Sequence, residues 1–253
     1  MSERIFFDTL VIGWFTLAAI TSAALFFVVA PYGRHTRKGW GPAIENRLGW
    51  LVMEAPAALV FAACFVAGEH RDTLAGWVFF ALWEAHYIYR AFVYPFRLHH
   101  TGKRTPLAIV GMAFMFNTVN GYLNGRYLFL FSGGYLSGWL TDLRFLVGTV
   151  LFVAGLAINR YADHTLYDLR RPAGSGYAIP QGGLYRWVSC PNYLGEIIEW
   201  LGWAVATWSP AGLAFATWVV ANLVPRAHAH HRWYREQFAD YPSERRALLP
   251  GLW

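Results

Sequence analysis

The chain alternates between long apolar runs and short polar stretches. Seven runs approach the length of about 20 residues that a helix needs to cross about 30 Å of hydrocarbon. Backbone groups in lipid must bond within their own segment, so a helix is the expected structure of each run. The pattern therefore predicts an all-α membrane protein with seven transmembrane helices. The predicted spans are residues 9–30, 48–67, 74–95, 106–131, 142–159, 193–209 and 210–225.

The placement of basic residues predicts the orientation. Most of the 21 Lys and Arg residues lie in the connections after spans one, three, five and seven. Because basic loops are retained on the cytoplasmic side, we expect the C-terminus in the cytoplasm and the N-terminus outside. The same clustering argues against nucleic acid as the partner of a chain with a net charge of +6. We expect one domain over residues 1–253.

Composition supports a membrane environment. Hydrophobic residues make up 56% of the chain and charged residues only 14%, whereas soluble domains carry about 25% charged residues. Aromatic residues account for 18%, which is typical of proteins whose rings sit at membrane–water interfaces. Much of the surface is therefore expected to face lipid.

Polar side chains inside the spans are the first functional candidates, because ionisable groups are costly in lipid. Glu54 lies near the centre of span two, where burial favours its neutral form; a carboxyl that only bonds a neighbouring helix is the alternative. Tyr87 in span three can donate a phenolic hydrogen bond, although tyrosines also anchor helices at interfaces. An asparagine stripe in span four can hold helices together or line a pocket. It consists of Asn117, Asn120 and Asn124, of which we assign Asn120 to the pocket.

Two polar stripes continue beyond the apolar runs, on the predicted cytoplasmic side. Their members recur every three or four residues and so share one helix face. Arginines bind phosphate in a bidentate fork, and the amides, carboxylate and phenol suit ribose hydroxyls. A helix lying on anionic lipid is the alternative. The stripes are Asn159, Asp163, Leu166 and Arg170 after span five, and Arg226, His230 and Tyr234 after span seven.

The segment IPQGGLYRWVSCPNYLGEIIEW lies between these stripes. Gly182 and Gly183 allow a tight turn and a close backbone approach. Asn192, Glu196 and Glu199 line the start of span six at spacings of four and three. Two carboxyl groups that enter a membrane helix together indicate a functional site.

These motifs together resemble the steroid 5α-reductase family of NADPH-dependent membrane enone reductases. The resemblance begins near Glu54 and is densest in IPQGGLYRWVS, PNYLGEIIEWLGWAVATWS and RAHAHHRWYREQFADYPSERRALLP. It implies a seven-helix fold and NADPH as the cofactor. The positions that match the family's NADPH contacts are Asn159, Asp163, Arg170, Tyr177, Asn192, Glu196, Arg226, His230 and Tyr234.

The resemblance also implies the reaction, which is reduction of the C4–C5 double bond of a Δ4-3-keto steroid by hydride addition to C5. Glu54 and Tyr87 match the pair that grips the 3-keto oxygen. Trp200 matches an aromatic residue beside the steroid and the nicotinamide. Family members commonly carry glutamine before the glutamate of span two, and here Met53 stands in that position. The expected substrate enters from the bilayer, and the cofactor from the cytoplasm.

Other functions fit parts of the same pattern. A related reductase would act on a polyprenol, another sterol or another lipid enone. The C-terminal block also resembles isoprenylcysteine methyltransferases, which use S-adenosylmethionine. A lipid-binding or transport protein fits the membrane charges better than it fits the dense polar set near the C-terminus. We expect a monomer without bound metal in a bacterial inner membrane, with residues 1–140 mainly on the substrate side and 141–253 forming the cofactor half.

Overall fold

Helices make up most of the chain, as expected where backbone groups must bond within their own segment. The computed structural model describes residues 2–28, 39–97, 102, 104–170 and 177–252, without the side chains of Ser137 and Arg170. Each of the seven predicted runs contains a helix. The helices are α1 (Glu3–Phe27), α2 (Asn46–Val66), α3 (Leu74–Ile88), α4 (Tyr94–Arg97), α5 (Leu107–Arg126), α6 (Leu143–Arg170), α7 (Pro191–Thr207) and α8 (Pro210–Gln237).

Three helices of the described part of the chain are long and apolar enough to cross a membrane. They are α1, α2 and the stretch Leu143–Leu169 of α6. The helices α3 and α7 have 15 and 17 residues, fewer than the roughly 20 that a full span needs. Three apolar helices support a membrane protein, whereas the count of seven spans and the orientation stay predictions.

Two short strands were not part of the all-α prediction. Strand β1 (Ala43–Glu45) pairs antiparallel with β2 (Arg104–Pro106), with Ile44 opposite Thr105. Each strand runs directly into a helix, β1 into α2 and β2 into α5. The Glu45 carboxylate accepts a hydrogen bond from the Leu48 amide at 3.1 Å, which satisfies a donor of the first turn of α2. The strand pair therefore holds the starts of α2 and α5 together.

The described residues form two compact units. The first contains those of Met1–Val11, Pro31–Leu146 and Thr207–Ala211, and the second those of Ile12–Ala30, Val147–Ala206 and Gly212–Trp253.

In the first unit, α5 packs closely against α2 through glycines. A Cβ atom at Gly121 would lie 3.2 Å from the Ala57 carbonyl oxygen. A Cβ atom at Gly125 would lie 2.6 Å from that of Cys64. Glycine lets helices approach more closely than residues with side chains allow. The asparagine stripe lies on the same side of α5, so this approach brings short amide side chains within reach of α2.

In the second unit, α6 and α7 meet backbone to backbone. A Cβ atom at Gly195 would lie 2.5 Å from the Asn159 amide nitrogen and 2.7 Å from the Gly155 carbonyl oxygen. One at Gly202 would lie 2.7 Å from the Gly148 carbonyl oxygen. Glycines thus face each other at two levels, and they place Asn159 beside the first turns of α7.

Candidate active site

Glu54 projects from α2, and only 17% of its side chain is exposed. Its Oε2 atom accepts a hydrogen bond from Asn117 Nδ2 at 3.3 Å. Its Oε1 atom lies 3.9 Å from Arg90 Nε, a charge contact that is too long for a hydrogen bond. Each carboxyl oxygen therefore faces a different partner, and the group is held in one orientation.

The amide of Asn117 has a second contact, which determines its direction. Its nitrogen donates to the Met53 carbonyl oxygen at 2.7 Å. A carbonyl oxygen only accepts, so the amide nitrogen and not its oxygen must lie on this side. The Met53 side chain packs with Ile109 and Val110 in an apolar cluster. Residue 53 therefore contributes its backbone carbonyl, but no polar side chain, to the surroundings of Glu54.

Tyr87 on α3 is bonded by a chain of buried amides. Its side chain is 3% exposed, and its hydroxyl oxygen accepts a hydrogen bond from Asn120 Nδ2 at 3.3 Å. The Asn120 Oδ1 atom accepts in turn from Asn124 Nδ2 at 3.1 Å. Since the Tyr87 oxygen accepts in this bond, the bond does not use the hydroxyl hydrogen. Hydrogen bonds in such a chain polarise one another, which makes the terminal hydroxyl a better donor.

One helix, α5, therefore contacts both residues of the predicted steroid-gripping pair. Asn117 bonds Glu54, and Asn120 bonds Tyr87. The stripe therefore joins helices and contacts candidate catalytic groups, whereas the assignment of Asn120 to a pocket stays a prediction. Asn117 was not assigned to the site from the sequence, because spacing alone does not show which amide of the stripe reaches α2.

Arg90 lies in a π-helical segment, Tyr89–Val93, that directly follows α3. Its guanidinium carbon lies 4.6 Å from the centre of the Trp50 ring and 4.9 Å from that of the Tyr94 ring. Such cation–π contacts contribute about 0.5–2 kcal/mol each. Turns of π-helix are frequent at functional sites. The two rings thus hold the Arg90 cation beside Glu54.

In the second unit, amide side chains join α6 to the first turn of α7. Asn159 Nδ2 donates to the Asn192 carbonyl oxygen at 3.0 Å. The side chain of Asn192 donates to Asp163 Oδ1 at 3.3 Å. The spacing of four between Asn159 and Asp163 therefore presents both residues to the same partner, and three predicted cofactor residues lie in contact.

Two members of the α8 stripe share an aromatic neighbour on α7. Arg226 Nε donates to the Tyr193 hydroxyl oxygen at 2.7 Å. The Tyr193 ring lies 5.4 Å from the His230 ring, measured between ring centres. His230 Nδ1 lies 3.9 Å from Cys190 Sγ. Tyr193, which the sequence did not single out, therefore connects Arg226 and His230.

The two predicted cofactor tyrosines of this unit both pack against other rings. Tyr234 is buried and stacks on Tyr241, with ring centres 5.3 Å apart and planes inclined by 10°. Tyr177 packs edge-on against Trp233 at 5.0 Å. Both phenols are thus placed by aromatic residues of α8 and the segment that follows it.

The remaining predicted residues differ in their surroundings. Trp200 is buried, and its ring centre lies 4.4 Å from that of Phe215. Glu196 is half-buried, whereas Glu199 on the same helix is fully buried. Arg170 is the last residue of α6, and its side chain lies outside the described part of the chain, as do residues 171–176.

The predicted glycine turn is present. Its two glycines have φ angles of 85° and 48°, in the region that favours glycine. A Cβ atom at Gly183 would lie 2.5 Å from the Tyr161 ring. Arg245 holds the preceding residues, since it donates to the Pro180 carbonyl oxygen at 3.0 Å and to Gln181 Oε1 at 2.9 Å. Residues 238–252, here called the C-terminal segment, thus support the turn.

A further cluster, which the sequence did not reveal, joins the C-terminal segment to the residues before α7. Ser189 Oγ lies 2.6 Å from His231 Nδ1 and 2.7 Å from the Tyr241 hydroxyl oxygen. The Ser189 amide donates to the Arg246 carbonyl oxygen at 2.8 Å. Burial, together with the charge of Arg235, lowers the pKa of His231. Contacts between residues that are 42 to 57 positions apart leave no periodic signal in a single sequence.

Comparison with known proteins identifies relatives along the whole chain. A family model described as 3-oxo-5-alpha-steroid 4-dehydrogenase matches residues 103–253. The chain is 40% identical to Steroid 5-alpha-reductase DET2 of Gossypium hirsutum over 256 residues, 100% of this chain and 99% of that protein. It is 41% identical to 3-oxo-5-alpha-steroid 4-dehydrogenase 1 of Bos taurus with the same coverage. Against 3-oxo-5-alpha-steroid 4-dehydrogenase 1 of Homo sapiens the identity is 41%, over 87% of this chain and 85% of that protein.

These matches bear on several predictions. They confirm the enzyme class, an oxidoreductase that acts on CH–CH groups. The three relatives are a plant protein and two mammalian proteins, so they give no support to a bacterial source or a bacterial inner membrane. They also give no support to the methyltransferase alternative. The chain therefore belongs to the 3-oxo-5α-steroid 4-dehydrogenase family, the steroid 5α-reductases.

Proposed function

We propose that this protein uses NADPH to reduce the C4–C5 double bond of Δ4-3-keto steroids. The observation that carries the proposal is the buried polar set of the first unit, in which Asn120 bonds Tyr87 and Asn117 bonds Glu54. An apolar substrate with one ketone needs an apolar site with a few well-placed donors. Two relatives, named Steroid 5-alpha-reductase DET2 and 3-oxo-5-alpha-steroid 4-dehydrogenase 1, match the chain over nearly their full length.

The proposed reaction starts with hydride addition at C5, the far end of the enone. The electron pair of the double bond then moves towards C3, and negative charge develops on the 3-keto oxygen as an enolate. Donors aimed at this oxygen lower the barrier, and loss of one such donor typically costs about 3–4 kcal/mol. We assign this role to the Tyr87 hydroxyl and the protonated Glu54 carboxyl. A proton from water then adds to C4 and completes the saturated ketone.

NADPH supplies the hydride when it is bound. The chemistry of the polar set in the second unit suits its phosphates and riboses, because guanidinium groups pair with phosphate, while amides and carboxylates bond sugar hydroxyls. The proposed cofactor residues are Asn159, Asp163, Arg170, Tyr177, Asn192, Glu196, Arg226, His230 and Tyr234, with Trp200 as the aromatic contact of the steroid.

The membrane placement is part of the proposal. We infer seven transmembrane helices from the seven apolar runs, and cofactor residues that face the cytoplasm from the distribution of Lys and Arg along the sequence. A steroid is apolar and partitions into lipid, so we propose entry of the substrate from the bilayer. Residues 1–140 would then mainly contact the steroid and residues 141–253 mainly the cofactor, in a monomer.

The test is an assay of the purified protein in lipid nanodiscs. NADPH carrying deuterium at its transferable position would be mixed with a Δ4-3-keto steroid, and the product analysed by mass spectrometry and NMR. We expect cofactor oxidation that matches product formation, with deuterium at C5. Parallel reactions would contain polyprenols, other sterol enones, or S-adenosylmethionine with a prenylcysteine. Turnover of one of these alternatives, with none of any Δ4-3-keto steroid, would overturn the proposal.

A further inference from the structure

The carboxyl group of Glu54 is oriented by a residue of another helix. We infer that Asn117 is a positioning residue of the reductase, whose amide keeps Glu54 Oε2 as an acceptor so that Oε1 carries the donated proton. This inference rests on the proposed function, because it assumes that Glu54 donates to the substrate ketone.

Two acceptors on α2 determine the direction of the Asn117 amide. Its nitrogen lies 2.7 Å from the Met53 carbonyl oxygen and 3.3 Å from Glu54 Oε2. The amide group has two N–H donors on one nitrogen. If the amide were turned over, its oxygen would face the Met53 carbonyl oxygen, and two acceptors would be in contact. The backbone of α2 therefore directs an N–H group at Glu54 Oε2.

The location of the proton follows from the partners of the two carboxyl oxygens. In a protonated carboxyl group one oxygen carries the hydrogen, and the other remains the better acceptor. Asn117 favours Oε2 as the acceptor, which leaves the hydrogen on Oε1. The Arg90 cation lies 3.9 Å from Oε1. If Oε1 carries the hydroxyl, a lone pair of that oxygen faces the cation and the hydrogen points away from the cation. The Arg90 charge therefore also restricts the direction of the O–H bond.

The packing of α5 makes the contact strong. Asn117 is 5% exposed, so little water competes for its hydrogen bonds, which are stronger in a low-dielectric environment. Gly121, one turn further along α5, admits the Ala57 backbone of α2 and lets a short side chain reach Glu54. Asn117 donates to Glu54 Oε2, while the Arg90 guanidinium lies 3.9 Å from Oε1.

Residue 53, which precedes Glu54, cannot supply an amide side chain to this carboxyl group. Its side chain packs with Ile109 and Val110 and has no donor to offer. Where the resemblance led us to expect glutamine, this chain has an apolar residue. The amide that accompanies the glutamate is thus supplied by α5 and not by the preceding residue of α2.

A double-mutant cycle in kcat tests the inference. The four proteins are the native chain, Asn117→Leu, Glu54→Leu and the double variant. If Asn117 acts through Glu54, Asn117→Leu lowers kcat about tenfold in the native background, the effect of one buried hydrogen bond to an acid. In the Glu54→Leu background, where residue 54 has no oxygen for Asn117 to orient, the same change lowers kcat less than twofold. Losses that multiply in the double variant, or full activity of Asn117→Leu, would overturn the inference.

Infrared difference spectroscopy separates this inference from the proposed function, because it needs no turnover. The C=O band of protonated Glu54 is identified by its loss in Glu54→Gln. We expect a higher frequency in Asn117→Leu, since a hydrogen bond to the carbonyl oxygen is removed; an unchanged band contradicts the contact. If the native chain reduces no Δ4-3-keto steroid, the proposed function fails, and the band still reports on Asn117.

Two controls guard against effects on folding. Thr118 is half-buried, and its hydroxyl donates to the Phe114 carbonyl oxygen of its own helix at 2.8 Å. Thr118→Val should therefore keep native kcat and the native infrared band. Binding of NADPH, followed by its fluorescence, reports on folding in every variant. Asn117→Ala, which also removes the amide, replaces Asn117→Leu if the latter does not bind NADPH, and the same outcomes are expected.

Discussion

The Tyr87 hydroxyl oxygen accepts a hydrogen bond from the Asn120 side chain at 3.3 Å, deep within the first unit. Tyr87 is 3% exposed, which argues against the reading of this tyrosine as an interface anchor. Asn120, fully buried, is itself bonded by Asn124. A tyrosine held in this way is oriented before the substrate arrives, so little reorganisation is needed as charge develops on a ketone.

Removal of the Tyr87 hydroxyl should impair chemistry more than binding. We expect Tyr87→Phe to lower kcat by two to three orders of magnitude, in line with the ~3–4 kcal/mol that one oxyanion donor contributes. Steady-state kinetics with a Δ4-3-keto steroid measure kcat, and fluorescence titration should show unchanged NADPH affinity. Tyr122→Phe is the matched control, because it removes a hydroxyl that donates to Glu3 in the same unit. If Tyr87→Phe and Glu54→Gln both keep native turnover, the donor assignment is wrong.

Arg226→Ala should weaken cofactor binding. Loss of a guanidinium that pairs with phosphate should raise the KM for NADPH at least tenfold, because charge-assisted bonds contribute about 1.5–3 kcal/mol. The same direction is expected for Arg170→Ala. Arg232, on the same helix, pairs with Glu236 and has 59% of its side chain exposed, so Arg232→Ala should leave KM unchanged. Native KM values in both Arg226 and Arg170 variants would instead indicate arginines that face lipid headgroups.

Two glycines of α5 should respond in opposite directions to alanine. A Cβ atom at Gly125 would lie 2.6 Å from the Cys64 Cβ atom, so Gly125→Ala should destabilise the protein by about 1–3 kcal/mol. A Cβ atom at Gly111 would meet nothing within 4 Å. Gly111→Ala should therefore be neutral or stabilise by up to about 1 kcal/mol through helix propensity. Thermal unfolding in one detergent compares the two, and equal Tm values would contradict the close packing of α2 and α5.

The C-terminal segment should loosen at mildly acidic pH. Burial, with the charges of Arg235, His228 and Arg246, lowers the pKa of His231 below its usual value of about 6.5. The folded state then binds this proton less readily than the unfolded state. His231 therefore contributes stability that is fully present above about pH 6.5 and is lost as pH falls towards the lowered pKa.

Hydrogen exchange at backbone amides measures this effect. The amides of Ser189 and Arg246 bond the Arg246 and Trp187 carbonyl oxygens, so both report on the contact between the two segments. After correction for intrinsic rates, we expect their protection to fall below about pH 6.5 and to become independent of pH in His231→Gln. His164 is exposed on α6 and pairs with Asp168, which makes His164→Gln the control. Persistent pH dependence in His231→Gln would assign the effect to another group.

The sequence revealed most clearly the local features of this protein, namely the positions of its helices and the residues that share one helix face. The apolar runs located every long helix, because the hydrophobic length of a segment is a property of that segment alone. The spacing of four between Asn159 and Asp163 was sufficient to place both on one face of α6, where both contact Asn192. The strands β1 and β2 were not predicted, since a strand of three residues shows no periodicity and pairs with a strand about 60 residues away.

The sequence by itself determined where the helices lie, which of them carry costly polar groups, and, through its motifs, the family. Tertiary structure alone decided that Asn117 and not Asn124 reaches Glu54, that Tyr193 joins Arg226 to His230, and that Ser189 meets His231. The physical reason is that these contacts depend on the distance between helices. That distance is set by glycines such as Gly121 and Gly195, whose effect appears only when a second helix packs against them.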